Sequence, residues 1–244
     1  MLSKDFIPVI VPRTELERQV YSDIIISSGL GTPVVVEHYP KYESGYTTEE
    51  KIAAARKVAD TVGEKRSVTI GYPHYLMAFL YDGKDAIIFD RHNDGYNASE
   101  RSDFNGGNFL LKRKGRKFIL GSQGIDTSRG EIKEYSPRKA RKSLREICQM
   151  LAEEVLLSMD VDVLSGSATR AHGYGDNIFE NLMEIFGIKL HMDFEEVLSM
   201  SEELSKTRKL IGINISQYSP MLEGPPYRTA DLLRTYITSV LRYQ

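Results

Sequence analysis

Cysteine is almost absent from this chain: Cys148 is the only one among 244 residues. A single thiol excludes any internal disulfide framework, which fits a reducing compartment. Its setting, Leu144 to Leu151, reads as a helix interior, so Cys148 is expected to be a core thiol rather than a nucleophile. Long apolar runs are missing too. None approaches the roughly 20 residues that span a bilayer, and Met1-Leu2-Ser3-Lys4-Asp5 lacks the pattern of a secretory signal. A membrane is therefore not an expected partner, and the cytoplasm is the expected location. Nor is there an excess of charge: 32 Lys and Arg against 34 Asp and Glu leave a net charge of -2. That balance gives no electrostatic reason to expect nucleic acid or an anionic surface as partner. The one dense basic stretch, Lys112-Arg113-Lys114-Gly115-Arg116-Lys117, reads as a solvated turn between two strands. With no internal repeat, low-complexity tract or linker, one domain over residues 1–244 is expected, and a hydrophobic content of 41% can supply its core.

What is present is an alternation of short β-rich runs with helical stretches. The spacing predicts strands over Phe6–Val11, Pro33–Glu37, Ser67–Ile70, Ala86–Phe89, Phe118–Leu120, Val155–Met159 and Leu210–Ile215. These are continuous apolar runs more than alternating ones, as expected for parallel strands covered on both faces. Thr47 with Glu50 fits a capping box, Asp193 with Glu196 an acidic version of one, and Ser136-Pro137 a cap and first turn for a helix running to about Glu153. Gly187 ends a helix beginning near Asn177, and a last helix covers about Thr229 to Arg242. The pattern predicts an α/β fold: a three-layer, doubly wound, mostly parallel sheet between helices, with its site at the carboxyl ends of the strands.

Two acidic strings lie at such ends: Asp90-Arg91-His92-Asn93-Asp94 and Ser158-Met159-Asp160-Val161-Asp162, with His74 ahead of them. Metal-capable side chains occupy every second position, which turns them to one side of an extended segment. Four aspartates gathered at one edge would repel each other and raise some of their pKa values, and two divalent cations would relieve that repulsion. Carboxylate and imidazole without thiolate suits Mn, and less selectively Fe, Co or Zn. A pair of such ions lowers the pKa of a shared water, so hydrolysis is the expected reaction.

Gly71-Tyr72-Pro73-His74-Tyr75, Asp90-Arg91-His92-Asn93-Asp94 and Ser158-Met159-Asp160-Val161-Asp162 together resemble the Gly-Gly-Asp-His-Ser, Asp-Ala-His-x-Asp and Ser-x-Asp-x-Asp motifs of the arginase/agmatinase/formimidoylglutamase (ureohydrolase) family. Gly212 to Pro220, followed by Leu222-Glu223 and Thr229-Ala230, is similar to that family's last strand and the start of its last helix. The similarity runs from about Ser67 to the C-terminus. It implies an arginase/deacetylase-like fold and two Mn2+ ions, other divalent metals being possible. The metal ligands would be His74, Asp90, His92, Asp94, Asp160 and Asp162, with Asp94 and Asp160 bridging the ions. A metal-bridging hydroxide would cleave a C–N bond of a linear guanidino or amidino compound, in the manner of an agmatinase or arginase. The partner would be a small-molecule substrate, and the chain would form a homo-oligomer, a trimer or hexamer by analogy.

Departures from the family pattern bear on the substrate. The glutamate that receives a guanidinium in the family is matched by Gln217, and a neutral amide loses the charge-assisted bidentate pair that selects a cation. Gln217 and Asn105, in the loop Asn105-Gly106-Gly107-Asn108, are the candidate substrate-binding residues. A loop histidine that shuttles protons in the family is matched by Gly106, and His172 is the candidate replacement. Glu223, if free, could restore a preference for cations. Pro73 and Arg91 replace an aspartate and an alanine; Arg91 is expected to point away from the metals and to pair with an acid. His38 and His191 are expected to be structural or exposed. Two alternatives stand beside the guanidine hydrolase: a metal-dependent amide hydrolase or deacetylase of the same fold, and a binding homologue without turnover.

Overall fold

The computed structural model describes residues 5–37, 47–92, 109–122, 128–129, 131–164, 189 and 191–244. Among these, nine strands form one sheet in the order β2-β1-β3-β9-β8-β4-β5-β7-β6. The strands are β1 Phe6–Val11, β2 Val34–Val35, β3 Arg66–Gly71, β4 Asp85–Phe89, β5 Lys117–Leu120, β6 Ser128–Arg129, β7 Ile132–Tyr135, β8 Glu154–Asp160 and β9 Lys209–Ser216. Every neighbouring pair is parallel except β6 with β7. The expected α/β architecture is therefore present. No helix of the described residues is long and apolar enough to cross a membrane.

Successive residues along each strand face opposite layers. Ile10, Ile70, Ile87, Phe89, Leu157, Met159 and Ile213 join one core with α1 (Glu15–Ser27), α3 (Pro137–Met150) and the helices Phe194–Thr207 and Arg228–Leu241. Val9, Val11, Ala86, Ile88, Ile119 and Leu156 join the other with α2 (Thr48–Val62) and the stretch from Tyr75 to Leu80. Burial on both faces explains why these strands read as unbroken apolar runs.

The helix signals hold unevenly. Thr47 and Glu50 form the expected capping box. Asp193 occupies the N-cap of Phe194–Thr207 without a side-chain cap bond; it and Glu196 are drawn instead to Lys189 Nζ, at 3.2 and 2.6 Å. The helix after Ser136 stops at Met150 rather than Glu153, because Glu154 already begins β8. The helix expected from Asn177 to Gly187 lies outside the described residues.

The basic stretch departs most from expectation. Arg113 is buried, and its guanidinium donates to the carbonyls of Leu80, Tyr81 and Lys84. Lys117 is buried as well, with Nζ on the Arg113 carbonyl. The segment is therefore solvated at Lys112, Lys114 and Arg116, as expected, and a brace at Arg113 and Lys117, where a long apolar stem reaches inward and its charged head serves carbonyls that water cannot. Burial, opposed by the charges of Asp82 and Asp85, lowers the Arg113 pKa to about 10. Arg113→Met is expected to leave these carbonyls unserved and to cost about 3 kcal/mol. For a chain of this size that lowers the melting temperature by about 6–12 °C, measurable by thermal denaturation.

Candidate metal centre

Strand register brings the acidic strings together. Phe89 pairs with Met159 across β4 and β8, so Asp90 and Asp160 leave the sheet side by side. Both are buried, as is Asp162 in the short 3-10 turn Val161–Val163. Gly71 ends β3 opposite Ser216, and His74 opens the 3-10 turn His74–Met77 that follows. Met77 fixes that turn: Ser158 Oγ donates to its Sδ at 3.0 Å, and Asn214 Nδ2 donates to Ser158 Oγ at 3.0 Å. The ring of buried Phe109 lies 4.8 Å from the His74 ring. Phe109 was not foreseen, since Phe109-Leu110-Leu111 offers only apolarity as a signal.

The two strings share one local geometry, and it is not the extended one their spacing implied. Asp90 Oδ1 accepts the backbone N–H of His92 at 2.7 Å, and Asp160 Oδ1 accepts that of Asp162 at 3.1 Å. Each first aspartate thus bends the chain into an Asx turn and folds the second metal-capable side chain back toward the first. Its other oxygen is directed to His74. Nδ1 of His74 lies 3.1 Å from Asp90 Oδ2 and 3.0 Å from Asp160 Oδ2. Nδ1 of His92 lies 2.8 Å from Asp162 Oδ2 and 3.8 Å from Asp90 Oδ1.

Two groups of donors result, His74–Asp90–Asp160 and Asp90–His92–Asp162, each with its donor atoms within 4.8 Å of one another. Asp90 belongs to both. The resemblance had assigned that shared role to Asp94 and Asp160; Asp94 lies outside the described residues, as do Asn105, Gly106, His172 and His38. Gly121 lets the groups come this close. Its φ is +103°, and a Cβ there would stand 2.6 Å from Val163 Cγ2 and 3.3 Å from the Asp90 carbonyl oxygen.

Without a cation the electrostatics are unfavourable. Burial pushes the Asp160 carboxyl up, against the opposing pull of His74. Burial and the charge of Asp160 push Asp162 up, against the pull of His92 and Arg91. For His92 burial favours the neutral ring, but contact with Asp162 and the charges of Asp162, Asp90 and Asp160 outweigh it and raise the pKa to about 9. A divalent ion holding nitrogen and oxygen donors at about 2.1 Å sets adjacent donors about 3 Å apart. The separations of 2.8, 3.0 and 3.1 Å match that spacing. Donor chemistry and geometry therefore both fit a divalent metal such as Mn2+.

Around the centre, Arg91 places Nη1 3.0 Å from Nε2 of buried His191, and its charge also acts on Asp162. Gln217 follows Ser216, which pairs with Asp160. It has φ +63°, donates its N–H to the Tyr72 carbonyl at 2.8 Å and is half-buried. Among the described residues nothing hydrogen-bonds its carboxamide. A left-handed backbone in a non-glycine residue stores strain that is common at ligand sites. Glu223 is not free: it accepts from Thr229 N and Oγ1 at 2.7 and 2.9 Å and from the Tyr218 hydroxyl at 3.2 Å. Cys148 is half-buried, and burial raises its pKa, which keeps the thiol neutral.

No protein-family model matches the sequence, and no curated protein matches it. Among solved structures, the chain is similar to the agmatine ureohydrolase of Thermoplasma volcanium, at 14% identity over 98% of this chain and 90% of that one, with a TM-score of 0.69. It is similar to the arginase of Bacillus subtilis, at 16% identity over 97% and 98% of the two chains, TM-score 0.68. It is likewise similar to the formimidoylglutamase of Bacillus subtilis, at 13% identity over 100% and 88%, TM-score 0.68. The chain has the fold of these three enzymes.

Proposed function

We propose that this chain is a metal-dependent hydrolase of the ureohydrolase family, cleaving a C–N bond of a linear guanidino or amidino small molecule with two Mn2+ ions. The observation that carries the reading is the shared carboxylate: Asp90 stands in two donor groups at one strand end, in a fold these hydrolases have. His74, Asp90 and Asp160 would hold one ion, and Asp90, His92 and Asp162 the other, with Asp94 completing the set. Two bound ions supply hydroxide near neutral pH and polarise the substrate.

The chain's own residues do the rest. Asp90 and Asp160 keep Oδ1 in Asx turns, which orients Oδ2 before an ion arrives. Phe109 covers one side of His74. Gln217 presents a carboxamide without a described partner to the substrate, Asn105 assists it, and His172 moves the proton to the leaving nitrogen. A cytoplasmic location, expected from the single cysteine, and a homo-oligomer, a trimer or hexamer expected from the resemblance, belong to the same reading.

Gln217 also favours a second reading, a metal-dependent amide hydrolase. Its carboxamide offers a donating NH2 beside an accepting oxygen, which match an amide better than a guanidinium, a donor on every side. Assays of ammonia, urea and amine release with arginine, agmatine, guanidinobutyrate, formimidoylglutamate and acetylated amines separate the two. Turnover of any guanidine or amidine by the Mn-loaded chain supports the first; turnover of amides alone replaces it with the second; no turnover at all leaves a binding homologue. Gln217→Glu is expected to raise kcat/KM for a guanidinium substrate about 10–100-fold, because a carboxylate adds a charge-assisted bidentate pair. No change would remove Gln217 from the substrate pocket.

A further inference from the structure

We propose that Arg13 is a positioning residue for the metal centre, acting through Tyr72 on His74; the proposal rests on reading His74 as a metal ligand. Val11 ends β1 in register with Gly71 at the end of β3. Arg13 and Tyr72 therefore leave neighbouring strand ends side by side. The Arg13 guanidinium lies over the Tyr72 ring, with Cζ 3.4 Å from its centroid. Planar stacking of this kind is specific to arginine.

The guanidinium is not free to drift. Nε and Nη2 reach Glu17 Oε1 at 3.0 and 2.5 Å, and the Arg13 backbone N–H donates to Glu17 Oε2 at 2.7 Å. Glu17 is fully buried in the first turn of α1, where its own N–H is capped by Thr14 Oγ1 at 3.1 Å. A buried carboxylate requires such a partner, so the start of α1 dictates where the guanidinium plane lies.

Tyr72 is thus gripped twice, at its ring by Arg13 and at its carbonyl by Gln217 N–H at 2.8 Å. Only Pro73, with φ -72°, separates it from His74, and a fixed φ transmits the placement. His74 Nδ1 then sits within 3.1 Å of both Asp90 and Asp160. An ion pair with one partner buried and the other a quarter exposed is a poor source of net stability, since apolar replacements are often as stable. One that stacks on the residue gripping a ligand loop, and that also reaches Ser219 beyond Gln217 at 3.4 Å, points to placement of that loop instead.

The test titrates Mn2+ into metal-stripped protein, reading free ion by electron paramagnetic resonance well below every melting temperature. Five chains are compared: wild type, Arg13→Ala, Arg13→Lys, His74→Ala and Leu204→Ala, the last a cavity in the buried helical layer. Expected are a weakening of about 10–100-fold for Arg13→Ala, a smaller one for Arg13→Lys, and affinity within about twofold of wild type for Leu204→Ala. Wild-type affinity in Arg13→Ala with weakened His74→Ala overturns this proposal alone. Equal weakening in Leu204→Ala overturns it too, as a stability effect. Unaltered affinity in His74→Ala, or no Mn2+ binding by wild type, overturns the metal reading and this proposal with it. Should Arg13→Ala not fold, Arg13→Lys takes its place: weakening supports the proposal, and wild-type affinity overturns it.

Discussion

Asp90→Asn is expected to empty both metal sites at once. Asparagine keeps the side-chain oxygen that accepts the His92 N–H, so the Asx turn and the end of β4 survive. What disappears is the negative charge and the second oxygen, which faces His74 Nδ1 at 3.1 Å. Because Asp90 alone belongs to both described donor groups, its loss differs in kind from that of Asp162, which belongs to one. Metal analysis after loading with Mn2+ should find about two ions per wild-type chain, fewer than one for Asp90→Asn and about one for Asp162→Asn. Hydrolytic turnover should fall by about three orders of magnitude or more in Asp90→Asn, since Lewis-acid stabilisation is worth several kcal/mol. Two ions retained in Asp90→Asn would show that the donors do not share it.

Metal removal is expected to reverse the pH dependence of stability. In the metal-free chain burial raises the carboxyls of Asp160 and Asp162, and His92 stands at about 9 against an ordinary 6.5. All three hold their protons more tightly folded than unfolded. The folded state is therefore the more protonated one from the ordinary carboxylate range, about 4, up to about 9, and stability falls as pH rises through that window. His92 contributes about 1–2 kcal/mol of this after discounting for solvent, since its side chain is 45% exposed. Bound metal works in the opposite sense, because protons compete for the same donors and binding strengthens as pH rises. At an ion concentration a thousandfold above Kd each site adds about 4 kcal/mol, or about 8–16 °C for a chain of this size. Melting curves with Mn2+ and with chelator at pH 5.5, 7 and 8.5 should show a gap that widens with pH. A gap independent of pH would mean that these residues are not the ones the metal occupies.

The gathering of His74, Asp90, His92, Asp160 and Asp162 was legible because their chemistry contradicts their surroundings. Buried aspartates at the ends of apolar strands have few structural excuses, and the central strands β3, β4, β8 and β9 are marked by Val, Ile and Leu. Spacing was less informative than it looked: the alternation in Asp90-Arg91-His92 and Asp160-Val161-Asp162 comes from Asx turns, not from a continued strand. β7 was not legible, since Ile-Lys-Glu-Tyr is short, half-charged and outlying in the sheet. The inward turn of Arg113 depends on carbonyls some thirty residues upstream, and nothing in a basic run announces them. The same holds for Glu223, whose role as a cap for Thr229 is set by a fold-back of six residues.

The outermost strands carry a last consequence. Val34–Val35 closes one flank of the sheet and Ser128–Arg129 the other, the latter running against its neighbour. Among the described residues, the outermost strand at each flank is two residues long and covers only part of its inner neighbour. Outermost strands this short are poor templates for edge-to-edge pairing, which works against one sheet being continued by another.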